Sequence, residues 1–206
     1  HVALAIGAAV ILCYTFMGGF MAVCVTDFVQ GTLMLVGLLV VPLVAYFLLP
    51  GNLTDLITSS GVTGGASAYL NPFMNGDRPY TFIEIFSQLA WGFGYCGMPH
   101  VLVRFMAVKN EKELKKSWVI AIVWDLLSLT AAFAIAVIGR AYLLPTILGE
   151  NGAASSESVF IELIRKVFTS QLVLPFIGGL FLCGILAAIM STADSQLLVT
   201  ASAVSE

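Results

Sequence analysis

A tract of hydroxyl and carboxyl side chains lies inside an apolar segment near the end of the sequence. It contains Ser191, Thr192, Asp194 and Ser195. Hydroxyl, carbonyl and carboxylate oxygens are the ligands that a hard cation such as sodium requires. On a helix, positions 188, 191, 192 and 195 share one face, so the carbonyl of Ala188 would lie beside three hydroxyls, with the carboxylate next to them. The tract indicates a cation site. The alternative is that the hydroxyls only bond to carbonyls of the preceding turn.

A second tract, WGFGYCGMPH (91–100), combines glycine, proline and aromatic residues in the middle of an apolar stretch. Glycine and proline weaken a helix locally, and the freed backbone groups are tolerated in a membrane where they line a cavity. Trp91 and Tyr95 lie one helical turn apart and could hold an apolar ring or a cation between aromatic faces. The alternative is a close helix contact with packed aromatic side chains.

Two further carboxylates lie at or inside apolar stretches, although a charge at the centre of a bilayer costs at least about 2.5–3.5 kcal/mol. Asp27 opens one such stretch, where it either caps a helix or ligates a cation. Asp125 lies within IVWDLLSL (122–129), where it either pairs with a basic residue or faces a cavity. Both are therefore candidate functional residues.

The elements that must position these residues are membrane helices. The chain is 59% hydrophobic and 10% charged, against about 25% charged in a soluble domain. Its net charge of −3 gives no basic surface for nucleic acid. A helix needs about 20 apolar residues to cross a bilayer, so we predict an all-α membrane protein within a lipid bilayer. Five stretches qualify, at residues 2–20, 27–49, 82–106, 117–144 and 172–203.

Positive charge predicts the orientation of these helices. Four lysines lie in the loop 107–116 and Arg104 just precedes it, which places this loop in the cytoplasm. The loops 51–81 and 146–171 then face outside. Within the second of these, residues 157–168 have the pattern of an amphipathic helix, which lies either in the membrane interface or against the protein. We expect a multi-pass protein of the plasma (cell inner) membrane.

Three tracts together resemble the sodium:solute symporter family, and within it the bacterial sodium/proline symporters. They are YTFMGGFMAVCVTDFVQ (14–30), WGFGYCGMPHVLVRFMA (91–107) and GILAAIMSTADSQLLV (184–199). The resemblance covers all five predicted helices in order. It implies the five-plus-five inverted-repeat, leucine-transporter-like fold. It further implies that the chain is a central piece, helices five to nine, whose partner helices lie in the rest of a larger transporter.

The resemblance also implies roles for particular residues. The substrate-binding stretch of the discontinuous helix corresponds to Trp91, Gly94, Tyr95 and Pro99. Half of the main sodium site corresponds to Ala188, Ser191 and Thr192, and its other half belongs to a helix outside this sequence. A possible second sodium or coupling site corresponds to Asp27, Asp194 and Ser195. Many relatives carry a small residue or a hydroxyl where this chain has Asp194, which is a departure from the family pattern.

The expected activity is sodium-coupled symport of a small solute, and the resemblance implies L-proline. Another amino acid, betaine, a sugar, a sialic acid or a carboxylate are alternative substrates. A non-transporting membrane scaffold or sensor is the alternative class, but it would need no cation ligands. The sequence has no HExxH motif and no Ser/His/Asp set placed for catalysis, so we do not expect an enzyme. The co-transported sodium ion is the only cofactor expected.

Overall fold

A computed structural model describes residues 2–62, 64–75, 78–95, 97–143 and 157–205, without the side chains of residues 2–4 and 205. In chain order its elements are α1 (Val2–Phe47), α2 (Leu53–Ser59), α3 (Gly65–Tyr69), β1 (Met74–Asn75), β2 (Arg78–Pro79), α4 (Phe82–Tyr95), α5 (Pro99–Met106), α6 (Glu111–Leu143), α7 (Val159–Ile164), a π-helix (Arg165–Gln171) and α8 (Pro175–Ser205). The two short strands pair antiparallel. The described chain is therefore mostly helical.

Three helices are long and apolar enough to cross a membrane, judged by length and composition. They cover Ala5–Phe47, Glu111–Leu143 and Pro175–Val204, which lie in α1, α6 and α8. Large apolar side chains are widely exposed on the described surface, among them Phe16 and Phe93. In water such a surface would be costly, so it suits a protein surrounded by lipid or by further helices.

The first two predicted helices, 2–20 and 27–49, form one continuous element that is broken at a single residue. Gly19 has φ 55° and ψ −149°, which is not helical. Helical structure resumes at once, so the predicted connection before Asp27 is itself helical. The hydroxyl of Thr26 bonds to the carbonyl of Ala22 at 2.9 Å, which satisfies that polar group within the helix. One glycine is therefore enough to change the direction of the chain.

The third predicted helix, 82–106, is divided in the structure into α4 and α5. Glu84 caps the start of α4, because its carboxylate accepts the backbone N–H of Thr81 at 2.8 Å and also bonds to the Thr81 hydroxyl. Met98 is extended, and Pro99 then begins α5, where the fixed φ of proline suits the first helical turn. With 14 and 8 residues, the two helices span about 21 and 12 Å, so neither alone crosses the hydrocarbon core.

The other helices begin or end a few residues away from their predicted boundaries. α6 begins at Glu111 rather than at 117, because the side chain of Asn110 accepts the backbone N–H of Glu113 at 3.0 Å and caps the charged first turn. α8 begins at Pro175 rather than at 172. The predicted amphipathic segment 157–168 becomes α7 and the π-helix, and its apolar side is buried in the protein through Leu163, Ile164, Val167 and Phe168.

The described residues divide into two compact units. One unit contains His1–Gly37, Phe93–Trp124 and Leu180–Glu206, and the other contains Leu38–Gly92 and Asp125–Gly179. In the second unit, the predicted outer loop packs on the end of α6 around a buried core of Ile57, Ala66, Val137 and Ala141. The first unit holds the parts of α1, α5 and α8 that carry the polar residues described next.

Replacing Gly19 by alanine tests the break in α1. The backbone at this residue lies in a region that is accessible almost only to glycine, so the Gly19→Ala variant should lose about 1–3 kcal/mol of unfolding free energy. Chemical unfolding of the full-length protein in detergent measures the loss. Gly7→Ala is the matched control, because Gly7 lies in the same helix with open space around it. An equal change in both variants would contradict the assignment of a required glycine.

Candidate functional site

An ion pair and a hydroxyl join three helices of the first unit. Nη2 of Arg104, in α5, bonds to Oδ2 of Asp27, in α1, and donates to Oγ of Ser195, in α8, at 2.6 Å. The side chain of Asp27 is 11% exposed, whereas that of Arg104 is 46% exposed. A mostly buried carboxylate thus pairs with a guanidinium that still reaches solvent. Burial raises the cost of leaving either charge unpaired.

Ser195 is the central group of this cluster. It is 5% exposed, and its hydroxyl donates to the carbonyl of Ser191 at 2.8 Å while it accepts from Arg104. Its Oγ also lies 3.4 Å from Oδ2 of Asp27 and 3.4 Å from Oδ1 of Asp194. The structure therefore brings the three residues predicted for a second cation site, Asp27, Asp194 and Ser195, to one place.

Asp194 is fully buried, and its partner comes from the first segment of α1. The hydroxyl of Tyr14 donates to Oδ2 of Asp194 at 2.6 Å, a short distance that is typical of a hydrogen bond to a charged acceptor. Along a straight helix Tyr14 and Asp27 would lie about 20 Å apart. Here they contact the adjacent residues Asp194 and Ser195, so the change of direction at Gly19 brings both segments of α1 to the same part of α8.

Among the described residues, two buried oxygen atoms on the second segment of α1 have no hydrogen-bond donor. They are Oδ1 of Asp27 and Oε1 of Gln30. Gln30 lies three residues beyond Asp27 and therefore on the same face of α1. Buried oxygen acceptors without donors are costly in a protein, but they are the ligands that a desolvated cation needs. The residues present therefore fit a small hard cation.

The residues predicted for the main sodium site lie one turn earlier on α8. Ala188 and Ser191 are half-buried, and Thr192 is exposed. The Thr192 hydroxyl donates to the carbonyl of Ala188 at 3.2 Å. This is a bond to the preceding helical turn, the predicted alternative to cation binding for these hydroxyls. The donated proton leaves the lone pairs of the Thr192 oxygen available to a cation. All three residues lie on one turn of one helix.

The predicted substrate tract is exposed in the described structure. Trp91 and Tyr95 are 70% and 47% exposed, and Gly94 and Pro99 are exposed as well. Trp91 falls in the second compact unit, while the other three belong to the first. The backbone changes course between α4 and α5, where Gly97 N–H bonds to the carbonyl of Gly94 at 3.2 Å. Cys96 lies outside the described residues.

Three residues of the cluster were not among the predicted site residues. Tyr14 and Gln30 lie at the two ends of the first family-like tract, but nothing in their local spacing connects them to α8. In the sequence, Arg104 serves only as part of the positive charge that predicts a cytoplasmic position for the loop 107–116. A signal was present for Arg104, since it lies inside the apolar stretch VLVRFMAV (101–108) and is the single arginine of its tract. Asp125, by contrast, is exposed on α6 in the second unit.

The long apolar helices and the charged residues buried among them define a multi-pass membrane protein with a polar interior site. A profile of the sodium:solute symporter family matches residues 1–206. The chain therefore belongs to the sodium:solute symporter family. Members of this family are transporters of the plasma membrane rather than enzymes.

Individual relatives agree with the family match. Over all 206 residues the chain is 38% identical to the sodium/proline symporter of Staphylococcus aureus, and to those of its strains JH9 and Newman. It spans 37% of the length of each of these relatives. No solved structure matches the chain significantly.

Replacing Tyr14 by phenylalanine tests the bond to Asp194. The Tyr14→Phe variant removes the donor to Oδ2 of a buried carboxylate, so it should lose about 1.5–3 kcal/mol of unfolding free energy. Tyr46→Phe is the control, because Tyr46 lies in the same helix and is 51% exposed. Chemical unfolding of the full-length protein in detergent compares the two. A loss no larger than that of the control would show that the Tyr14 bond contributes nothing to stability.

Proposed function

We propose that the full-length protein uses the sodium gradient to drive uptake of a small solute, L-proline. The observation that carries this proposal is the buried, acceptor-rich cluster of Asp27, Asp194 and Ser195 in a chain of the sodium:solute symporter family. The substrate is inferred from the Staphylococcus aureus relatives, which are sodium/proline symporters and 38% identical to this chain.

We propose that the chain forms the middle of a five-plus-five inverted-repeat transporter. Two points support this: the chain spans 37% of the length of its relatives, and its sodium-ligand candidates Ala188, Ser191 and Thr192 all lie on one turn of α8. Helices from the remainder of the protein would provide the other ligands and would cover exposed residues such as Thr192. Small and hydroxyl-bearing residues on α8 allow such helices to approach closely.

The main sodium ion would bind at Ala188, Ser191 and Thr192, together with a helix outside this chain. Carbonyl and hydroxyl oxygens would replace part of its hydration shell. A second ion would bind at Asp27, Asp194 and Ser195, where a carboxylate supplies the charge that a desolvated cation needs. These assignments rest on the family resemblance and on the oxygen chemistry of the residues.

The substrate would bind at the break between α4 and α5. Broken helices near the membrane midplane are where secondary transporters bind substrate. Trp91 and Tyr95 would pack on the pyrrolidine ring, and backbone groups near Gly94 and Pro99 would bind the charged ends of the amino acid. The exposure of these residues leaves their surfaces available for a ligand or for further helices.

Coupling follows if sodium binds one conformation more tightly than the other. Sodium would favour an outward-open state that accepts the substrate, and loss of sodium to the cytoplasm would favour return of the empty protein. A tenfold preference for one state is worth about 1.4 kcal/mol, so two ions of modest preference shift the equilibrium substantially.

Uptake of radiolabelled proline by the full-length protein in proteoliposomes tests the function. We expect uptake that requires an inward sodium gradient and is competed by excess unlabelled proline. Potassium in place of sodium is the control. Sodium-dependent uptake of another solute would keep the coupling and reject proline, and the absence of any sodium-dependent uptake would reject the proposal.

A paired substitution tests the main sodium site. Ser191→Ala combined with Thr192→Ala removes two hydroxyl ligands, so the sodium concentration for half-maximal uptake should rise at least about tenfold, for a loss of about 1.4 kcal/mol. Thr200→Ala is the matched control, because Thr200 is also exposed on α8 and also bonds to the carbonyl four residues earlier, at 2.8 Å. Unchanged sodium dependence in the double variant would remove these residues from the site.

A further inference from the structure

Arg104 occupies the place in the cluster where a cation would bind. Its guanidinium contacts both Asp27 and Ser195, and these are two of the three residues assigned above to the second ion. A guanidinium and a sodium ion both carry one positive charge, and both bind to carboxylate and hydroxyl oxygens. The contact of Nη2 with both oxygens uses the lone pairs that sodium would use.

The charges at the cluster also favour exchange. Among the described residues, the charged groups in contact within the cluster are the carboxylates of Asp27 and Asp194 and the guanidinium of Arg104. Sodium added while Arg104 remains would make the cluster neutral, but it would place two cations on the same oxygens of Asp27 and Ser195. Two positive charges at such a short distance repel each other strongly in a medium of low dielectric constant.

Arg104 has space into which it can withdraw. Its side chain is 46% exposed, although its partner Asp27 is 11% exposed. Both residues border a cavity of about 460 Å³ that is also lined by Cys24 and Phe28. The residue lies in the last turn of α5, next to the lysine-rich loop. A long, flexible and half-exposed arginine beside this cavity can therefore leave the cluster.

We propose that the Arg104 guanidinium is a tethered competitor of sodium at the Asp27 site. It neutralises Asp27 while the second ion is absent, and it moves into the adjoining cavity when sodium binds. The inference rests on the proposed sodium-coupled function. It goes further because it assigns Arg104 a role in setting sodium affinity, and because it explains how Asp27 stays compensated during the return of the empty protein.

Competition predicts the sign of a mutational effect. If Arg104 only held the ligands in position, its loss would weaken sodium binding. If Arg104 competes, its loss strengthens sodium binding, because the apparent dissociation constant equals the intrinsic constant divided by the fraction of free sites. A side chain that occupies about four of every five sodium-free sites would weaken the apparent affinity about fivefold.

The experiment measures the stabilisation of the purified full-length protein against heat as sodium chloride replaces choline chloride at constant ionic strength. We expect Arg104→Gln to lower the half-saturating sodium concentration about fivefold. Arg165→Gln is the matched control, since Arg165 also pairs with a carboxylate, Glu162 at 2.9 Å, but lies in the other compact unit. This control should leave the sodium dependence unchanged.

Arg104→Lys covers the case in which the glutamine variant does not fold. Lysine keeps the charge, but its ammonium is more strongly hydrated than a guanidinium and costs more to bury, so it competes less well. We expect a half-saturating sodium concentration between those of the wild type and Arg104→Gln. An unchanged or higher value in whichever of the two variants folds would overturn the proposal.

A free guanidinium compound provides a second, independent measurement. In Arg104→Ala, about 10 mM methylguanidinium should enter the vacated position and raise the half-saturating sodium concentration severalfold, in the manner of a simple competitor. The wild type and Arg165→Ala should not respond. A response of equal size in all three proteins would contradict a specific position for the guanidinium.

The two proposals fail in different ways. If sodium does not stabilise even the wild type, the proposed sodium-coupled function is rejected. If sodium stabilises the wild type but the Arg104 variants show none of the expected changes, only this inference is rejected.

Discussion

The need to compensate buried charge determines how the first compact unit is built. Taking a carboxylate out of water costs several kcal/mol unless it is paired and hydrogen-bonded. Asp194 is fully buried and Asp27 nearly so. The partners of Asp27 come from α5 and α8, and the partner of Asp194 comes from the first segment of α1. Three helices must therefore keep a fixed relation for the charges to stay satisfied. The polar cluster thus acts as a constraint on helix packing as well as a candidate ion site.

The break at Gly19 is what makes this arrangement possible. Without it, Tyr14 and Asp27 would be separated by more than three helical turns and could not both contact neighbouring residues of α8. With it, a hydroxyl donor reaches one carboxylate and a guanidinium reaches the other. The uncompensated acceptors on Asp27 and Gln30 remain on the same face of α1. A single residue with unusual backbone angles thereby decides which polar groups meet.

Composition and apolar periodicity were sufficient to predict a helical membrane protein, and oxygen chemistry alone singled out the tract from Ser191 to Ser195. The glycine and proline of the second tract correctly marked a weak point, but not a complete division into α4 and α5, because local propensity does not tell how far a break extends. Tyr14 and Arg104 could not be assigned from the sequence. Their role depends on contacts with residues 180 and 91 positions away, and no periodic pattern encodes such distances.

The division of the predicted third helix also affects how the chain enters the membrane. A segment is inserted by itself when it offers about 20 apolar residues in one continuous helix. α4 and α5 contain 14 and 8 residues, and α5 carries Arg104 in its last turn. Neither meets this requirement alone, whereas α6 does. α4 and α5 can therefore cover the thickness of the hydrocarbon core only together, so a substitution that displaces one of them also affects the place of the other in the bilayer.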